Sequence, residues 1–206
     1  DLKAALGGQR EPLPHHGCPP CDKEVVHAYA RLNDCKAEDL QGLSAEMHKV
    51  SLRNESTRTF LCDSVRKLYS DPKLIPKSWR EARISFFGKG GKGKDQALPD
   101  NMRGVCIIQR SSAGAINILD GRLQEVLRDL GFGVQFGGMY GSSTADALFI
   151  VRSALQKRLK RGLSTWIVLV DLIKAFDSCS RSLMSSILRA CGVHENDVQF
   201  VSELYE

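Results

Sequence analysis

The chain has 206 residues, 42% hydrophobic and 26% charged, which is enough apolar mass for a packed core in one large domain or two small ones. Seven cysteines at irregular spacing argue against a disulfide framework and for a reducing compartment. No apolar run approaches the about 20 residues that a bilayer span needs, so a membrane partner is not expected.

The net charge of +5 is unevenly placed. Residues 152–161 hold five basic residues and no acid, residues 83–94 hold four and no acid, and residues 194–206 hold four acids and no Lys or Arg. Basic clusters beside an acidic site fit a polyanionic ligand. Taken singly, each also fits a solvated helix or loop face. The chain begins at Asp1 without Met, as expected of a fragment, and shows no signal peptide.

Residues 1–21 are rich in Pro and Gly and read as a loose lead-in. His15, His16, Cys18 and Cys21 make a lone Cys-x-x-Cys with histidines nearby. A structural zinc needs four ligands in a compact set, and no second pair follows, so metal binding is not the favoured reading. Residues 23–32 read as a helix through Val25, Val26, Tyr29 and Leu32. Residues 36–49 are mixed and broken near Gly42. Residues 55–69 form a second predicted helix carrying Phe60, Leu61, Val65, Leu68 and Tyr69, ended by Pro72 and Pro76.

Residues 82–87 read as a strand and 103–109 as its return, giving a β-ribbon. The tip between them, G-K-G-G-K-G-K-D at 88–95, nearly matches a phosphate loop. Asp95 stands where a hydroxyl is required, and Pro99 leaves no room for the helix whose N-terminus presents the amides. A Walker-type NTPase is therefore rejected. A basic, mobile tip able to approach phosphates is left.

Residues 114–130 form a strongly periodic helix through Ile116, Leu119, Leu123, Val126, Leu127 and Leu130. Five glycines in residues 131–141 mark a loop. Ser143 and Asp146 open a helix to about Leu159, expected to bury Ala147, Leu148, Val151, Leu155 and Leu159. Residues 165–171 read as a strand buried on both faces and ending in Asp171. A carboxylate there must be paired, hydrated or metal-bound. Helices are predicted at 181–190, stopped by Gly192, and from 197 to 205. The order suits an α+β domain.

Several stretches now align with one family. V-L-V-D-L-I-K-A-F-D-S-C-S-R at 168–181 is similar to an apolar strand followed by D-L-x-K-A-F-D-S-V-x-R. Q-F-G-G-M-Y-G-S-S-T-A-D-A at 135–147 is similar to Q-F-G-F-R-x-G-R-S-T-x-D-A. N-M-R-G-V at 101–105 is similar to N-Y-R-P-I, and Ile75 to Arg80 with Lys89 resemble P-x-x-W-K and a fingers lysine. Lys36-Ala37 with Gly42-Leu43 weakly echo K-A-P-G-x-D-G-I. In this order, over residues 23–206, the chain resembles the reverse transcriptases of non-LTR retrotransposons and, more distantly, of group II introns.

The resemblance implies a right-hand polymerase: a lead-in at 1–22, fingers over about 23–162 and the start of the palm over 163–206, truncated before the Y/F-x-D-D hairpin. It implies an RNA-directed DNA polymerase with an RNA template, a DNA primer, deoxynucleoside triphosphates and two Mg²⁺ ions. Asp171 would be the catalytic metal ligand, with the Leu172 carbonyl beside it. Lys89 and Arg103 would contact the triphosphate, and Phe176 would pack under the sugar. Nucleic acid would meet Lys92, Lys94, Gln135, Gly141, Lys157, Arg158, Lys160 and Arg161. Ser143 and Asp177 would be structural, Asp177 bracing the helix that follows. Localisation would be intracellular, nucleus and cytoplasm being equally open.

The chain departs from the pattern at Gly138, where an aromatic is usual, and at Met139 and Ser142, where cations are usual. It also lacks any Y/F-x-D-D. One carboxylate does not hold two metals, so the chain alone is expected to be inactive. A domesticated or decayed remnant that binds RNA without chemistry is the other reading.

Overall fold

The computed structural model describes residues 11–13, 16–90, 98–131, 133–172, 175 and 178–205, with the Asp100 side chain set aside. It combines helices with a two-stranded sheet and divides into two units, Pro14–Gly121 with His194–Glu206, and Asp1–Leu13 with Arg122–Val193. Among the described residues no helix is long and apolar enough to cross a membrane.

The first unit contains α1 (Asp22–Ala30), α2 (Ala45–Ser51), α3 (Glu55–Ser70), the strands β1 (Arg83–Gly88) and β2 (Met102–Ile107), the first half of α4 (Arg110–Leu130), and α7 (Glu195–Tyr205). The periodic apolar residues of these helices meet in one core of Val25, Tyr29, Val65, Tyr69, Ala115, Val198 and Phe200. Tyr69 stacks on Phe200 with ring centroids 4.2 Å apart. Each buried tyrosine finds an acceptor on α4, since an unmet hydroxyl would be costly there. Tyr29 donates to the Ser111 carbonyl at 2.6 Å and Tyr69 to that of Ala115 at 2.9 Å. Gly114 permits the close approach, because a Cβ there would run into the Tyr29 ring. Phe60, expected on the apolar side of α3, is exposed.

Helix starts follow local chemistry. Ser44 accepts from the Met47 amide and Asn54 from that of Thr57, capping α2 and α3. The start of α4 is different. It begins at Arg110, four residues before the periodicity suggested, because Asp39 accepts its amide at 2.9 Å from far along the chain. The same carboxylate accepts from the Gln41 and Leu43 amides at 2.9 Å each.

The lead-in is not uniformly loose. His16 and Pro20 are buried, and Gly17 is pinned to the start of α7. Its amide donates to Asp197 Oδ2 at 3.3 Å, and Asn196 Nδ2 donates to its carbonyl at 2.8 Å. Its φ of +78° and the His194 ring packed against it both call for glycine.

The second unit contains the rest of α4, then α5 (Thr144–Lys160) and α6 (Arg181–Ala190). Ser143 caps α5 as expected: its hydroxyl accepts from the Asp146 amide, and Asp146 accepts from the Ser143 amide at 2.8 Å. Hydrogen bonds from the Ser143 hydroxyl and amide hold the Asp146 carboxyl below the usual range. Gly162 and Gly192, both at positive φ, end α5 and α6. The next residue in each case, Leu163 or Val193, donates back to Arg158 or Leu188.

Two expectations fail in this unit. Residues 163–172 form no strand, and Trp166 and Leu169 are 94% and 91% exposed. A strand needs a partner for its backbone groups, and among the described residues β1 and β2 pair only with each other. The α5 helix forms, but Leu148, Val151 and Leu159 are exposed and none of its residues is fully buried. Among the described residues its apolar stripe is not covered.

Candidate functional site

In the first unit the site residues lie on the β1–β2 ribbon. The antiparallel register sets Phe87 opposite Arg103, Ser85 opposite Val105 and Arg83 opposite Ile107. Directly opposed residues share a face, and so do residues two apart along a strand. Arg83, Phe87 and Arg103 therefore project to one side. Lys89 extends the ladder beyond the strand, its amide donating to the Asn101 carbonyl at 2.7 Å, and falls on the same face. Among the described residues of the ladder that face carries three cations, one aromatic ring and no acid, and Phe87 is 57% exposed. The other face carries Ile84, Phe86, Met102 and Cys106. There Ile84 and Phe86 fold over Gly104, where a Cβ would lie 3.2 Å and 3.6 Å from them.

Lys89 and Arg103 thus lie on one face of the ribbon. Lys92 and Lys94 lie outside the described residues.

In the second unit Asp171 and Leu172 are exposed, at the end of the irregular 163–172 segment. Asp171 is not a carboxylate trapped at a sheet edge. It is open to water, which removes the desolvation penalty that a buried strand end would impose. Phe176 and Asp177 lie outside the described residues, so neither the sugar-facing role nor the helix-bracing role has a described side chain. Among the described residues no three of His, Cys, Asp and Glu are grouped to hold a metal. The Asp171 carboxylate and the Leu172 carbonyl fall short of the six oxygen ligands that Mg²⁺ takes. The residues described do not by themselves fit a two-metal centre.

The basic end of α5 divides in two. Arg158 is committed internally: its Nε donates to Thr165 Oγ1 at 2.7 Å and its Nη2 to the Ser164 carbonyl at 2.9 Å, tying the following segment to the helix. Lys157, Lys160 and Arg161 are exposed, with no ion-pair partner among the described residues. They also complement the C-terminal end of the helix dipole, which accounts for them without a ligand.

Gln135 and Gly141 are exposed on the glycine loop. What shapes this loop is Gln124, a residue the sequence reading passed over. Buried on α4, it donates to the Gly138 carbonyl and accepts from the Tyr140 amide at 3.0 Å. At about 100° per residue it falls outside the stripe through Leu119, Leu123, Val126 and Leu127, so the pattern of its own helix does not mark it. Gln124→Ala is expected to weaken the second unit by about 1–3 kcal/mol, the usual cost of stranding buried polar groups. Faster hydrogen exchange at the Tyr140 amide is the corresponding local readout.

A hollow of about 300 Å³ in the first unit is lined by Asp71, Lys73, Gln199 and Glu203 among others. None of the expected site residues lines it. No protein-family model matches the chain, and no curated protein matches it.

Proposed function

We propose that this chain is the fingers and the opening palm segment of an RNA-directed DNA polymerase of retroelement type, working intracellularly on an RNA template, a DNA primer and deoxynucleoside triphosphates. Support comes first from the motif series, above all V-L-V-D-L-I-K-A-F-D at 168–177. The observation that carries the reading is geometric. Lys89 and Arg103, on the two arms of one hairpin and both aligned with triphosphate-contacting positions, share one face of an exposed ribbon. On that face their charge would offset the negative charge of a polyphosphate. Asp171, solvated and accessible, would contribute one carboxylate to a metal centre whose remaining donors are not among the described residues.

A second reading is favoured by the missing cations at Met139 and Ser142. It is a remnant that binds RNA through the ribbon and the α5 end without chemistry.

Primer extension separates the two. With the chain expressed in its native coding context, an RNA template, a DNA primer and Mg²⁺, the polymerase reading expects DNA synthesis that Asp171→Asn removes while RNA binding is kept. RNA binding with no synthesis, or synthesis indifferent to Asp171, would overturn it. The isolated 206 residues are expected to bind but not to extend.

A further inference from the structure

We propose that residues 165–171 are a pairing edge for a second copy of this chain. Two copies join as an antiparallel two-stranded ribbon centred on Val168, with each Asp171 set against the other copy's Arg158. The inference stands apart from the polymerase reading. The run 166–170 is uncharged, rich in β-branched and aromatic residues, and free of Gly and Pro, which is the composition of a strand. Its side chains are 52–94% exposed, and among the described residues none of its backbone amides or carbonyls is hydrogen-bonded. Unpaired backbone groups and contiguous apolar exposure mark an interaction surface.

The choice of a second copy comes from the charges at the two ends of the run. Arg158 holds its start through Thr165 Oγ1 and the Ser164 carbonyl. Asp171, exposed, stands at its end. In an antiparallel pair centred on Val168, Trp166 lies opposite Val170, Ile167 opposite Leu169 and Thr165 opposite Asp171. No other antiparallel register pairs all five apolar residues among themselves. Directly opposed side chains stand about 5 Å apart, so each carboxylate comes beside the guanidinium that holds the opposing Thr165. The two-fold axis makes that contact twice. A parallel pair would oppose Asp171 to Asp171, like charge to like. An antiparallel pair shifted by two residues would set Asp171 against Leu163 or Ile167. A paired copy holds Asp171 against a cation, so pairing and metal binding exclude each other at that residue.

A two-stranded ribbon is a small interface, so the dimer is weak and forms only at about 100 µM and above. Sedimentation velocity of the purified chain in reductant, from about 5 to about 500 µM, should show monomer passing to dimer. Val168→Lys, which sets two ammonium groups against each other at the two-fold axis, should weaken the dimer at least about tenfold, because each loss counts twice. Val168→Ile should keep it. Asp171→Lys and Arg158→Glu should each weaken it at least about fivefold, like charges then meeting at both contacts. An equimolar mixture of those two variants should recover the wild-type strength, because in the mixed dimer both contacts again join opposite charges. Recovery also shows that neither variant failed to fold.

The proposal is overturned by a monomer at every concentration, by open-ended assembly beyond the dimer, by a dimer indifferent to Val168→Lys, or by a mixture that fails to recover. No step here needs a metal or chemistry. The dimer with no Asp171-dependent synthesis in the native coding context would sink the polymerase reading alone, whereas such synthesis with a purified chain that stays monomeric would sink this one alone.

Discussion

Phe200→Ala is expected to destabilise the first unit by about 3–5 kcal/mol, and Trp166→Ala to change the stability of the second by less than about 0.5 kcal/mol. Composition alone would rank these the other way, because Trp166 opens the most apolar run of the chain. The difference is burial. Phe200 has no exposed surface and stacks on Tyr69, whose hydroxyl is fixed to the Ala115 carbonyl. Removing its ring opens a cavity between α3 and α7, and forfeits an aromatic pair worth about 0.5–1.5 kcal/mol beyond its area. Trp166, 94% exposed, has nothing to lose. Urea denaturation followed by far-UV circular dichroism measures both. The Phe200→Ala midpoint should fall without a change of slope. A Trp166→Ala loss comparable to that of Phe200→Ala would mean that residues 163–172 are packed in solution as the buried strand their composition suggests.

The split between what could and could not be read from sequence follows the range of the forces. Helix starts at Ser44, Asn54 and Ser143 are local, since the cap and its amide lie three residues apart. The ribbon was legible because an alternating strand, a glycine-rich tip and a return strand lie within one stretch of chain. Its register, which sets Lys89 and Arg103 on one face, came only with the structure. Burial, by contrast, is a property of what lies opposite. The apolar stripe of α5 and the run at 166–170 are both what a covered surface requires, and neither is covered. The same blindness hid Asp39 and Gln124. A carboxylate that caps a helix from another part of the chain leaves no mark in the helix's own sequence.

Asp39→Ala is expected to cost about 2–4 kcal/mol, because it removes a helix cap and strands three amides that now share one carboxylate. Its effect should depend on pH in a defined direction. Burial pushes the Asp39 carboxyl up, but the amides of Arg110, Leu43 and Gln41 and the nearby His48 outweigh it, and the carboxyl lies below its ordinary range. A carboxyl with a lower pKa in the fold binds fewer protons there than in the unfolded chain. Its contribution is present above about pH 4 and is lost as pH falls through the folded value. His48 titrates earlier. Burial pushes its imidazole down, and the charge of Asp39 offsets part of that push. The unfolded chain therefore takes up the proton first, and stability begins to decline as pH falls below about 6.5. Urea midpoints for the wild type from about pH 8 to about pH 3 should show two declines. In Asp39→Ala the lower one should shrink, the depressed Glu46 and Asp146 carboxyls leaving a remainder. The upper one should grow, because His48 loses the charge that eased its protonation. A variant whose profile runs parallel to the wild type at every pH would show that Asp39 does not hold its amides as an ionised cap.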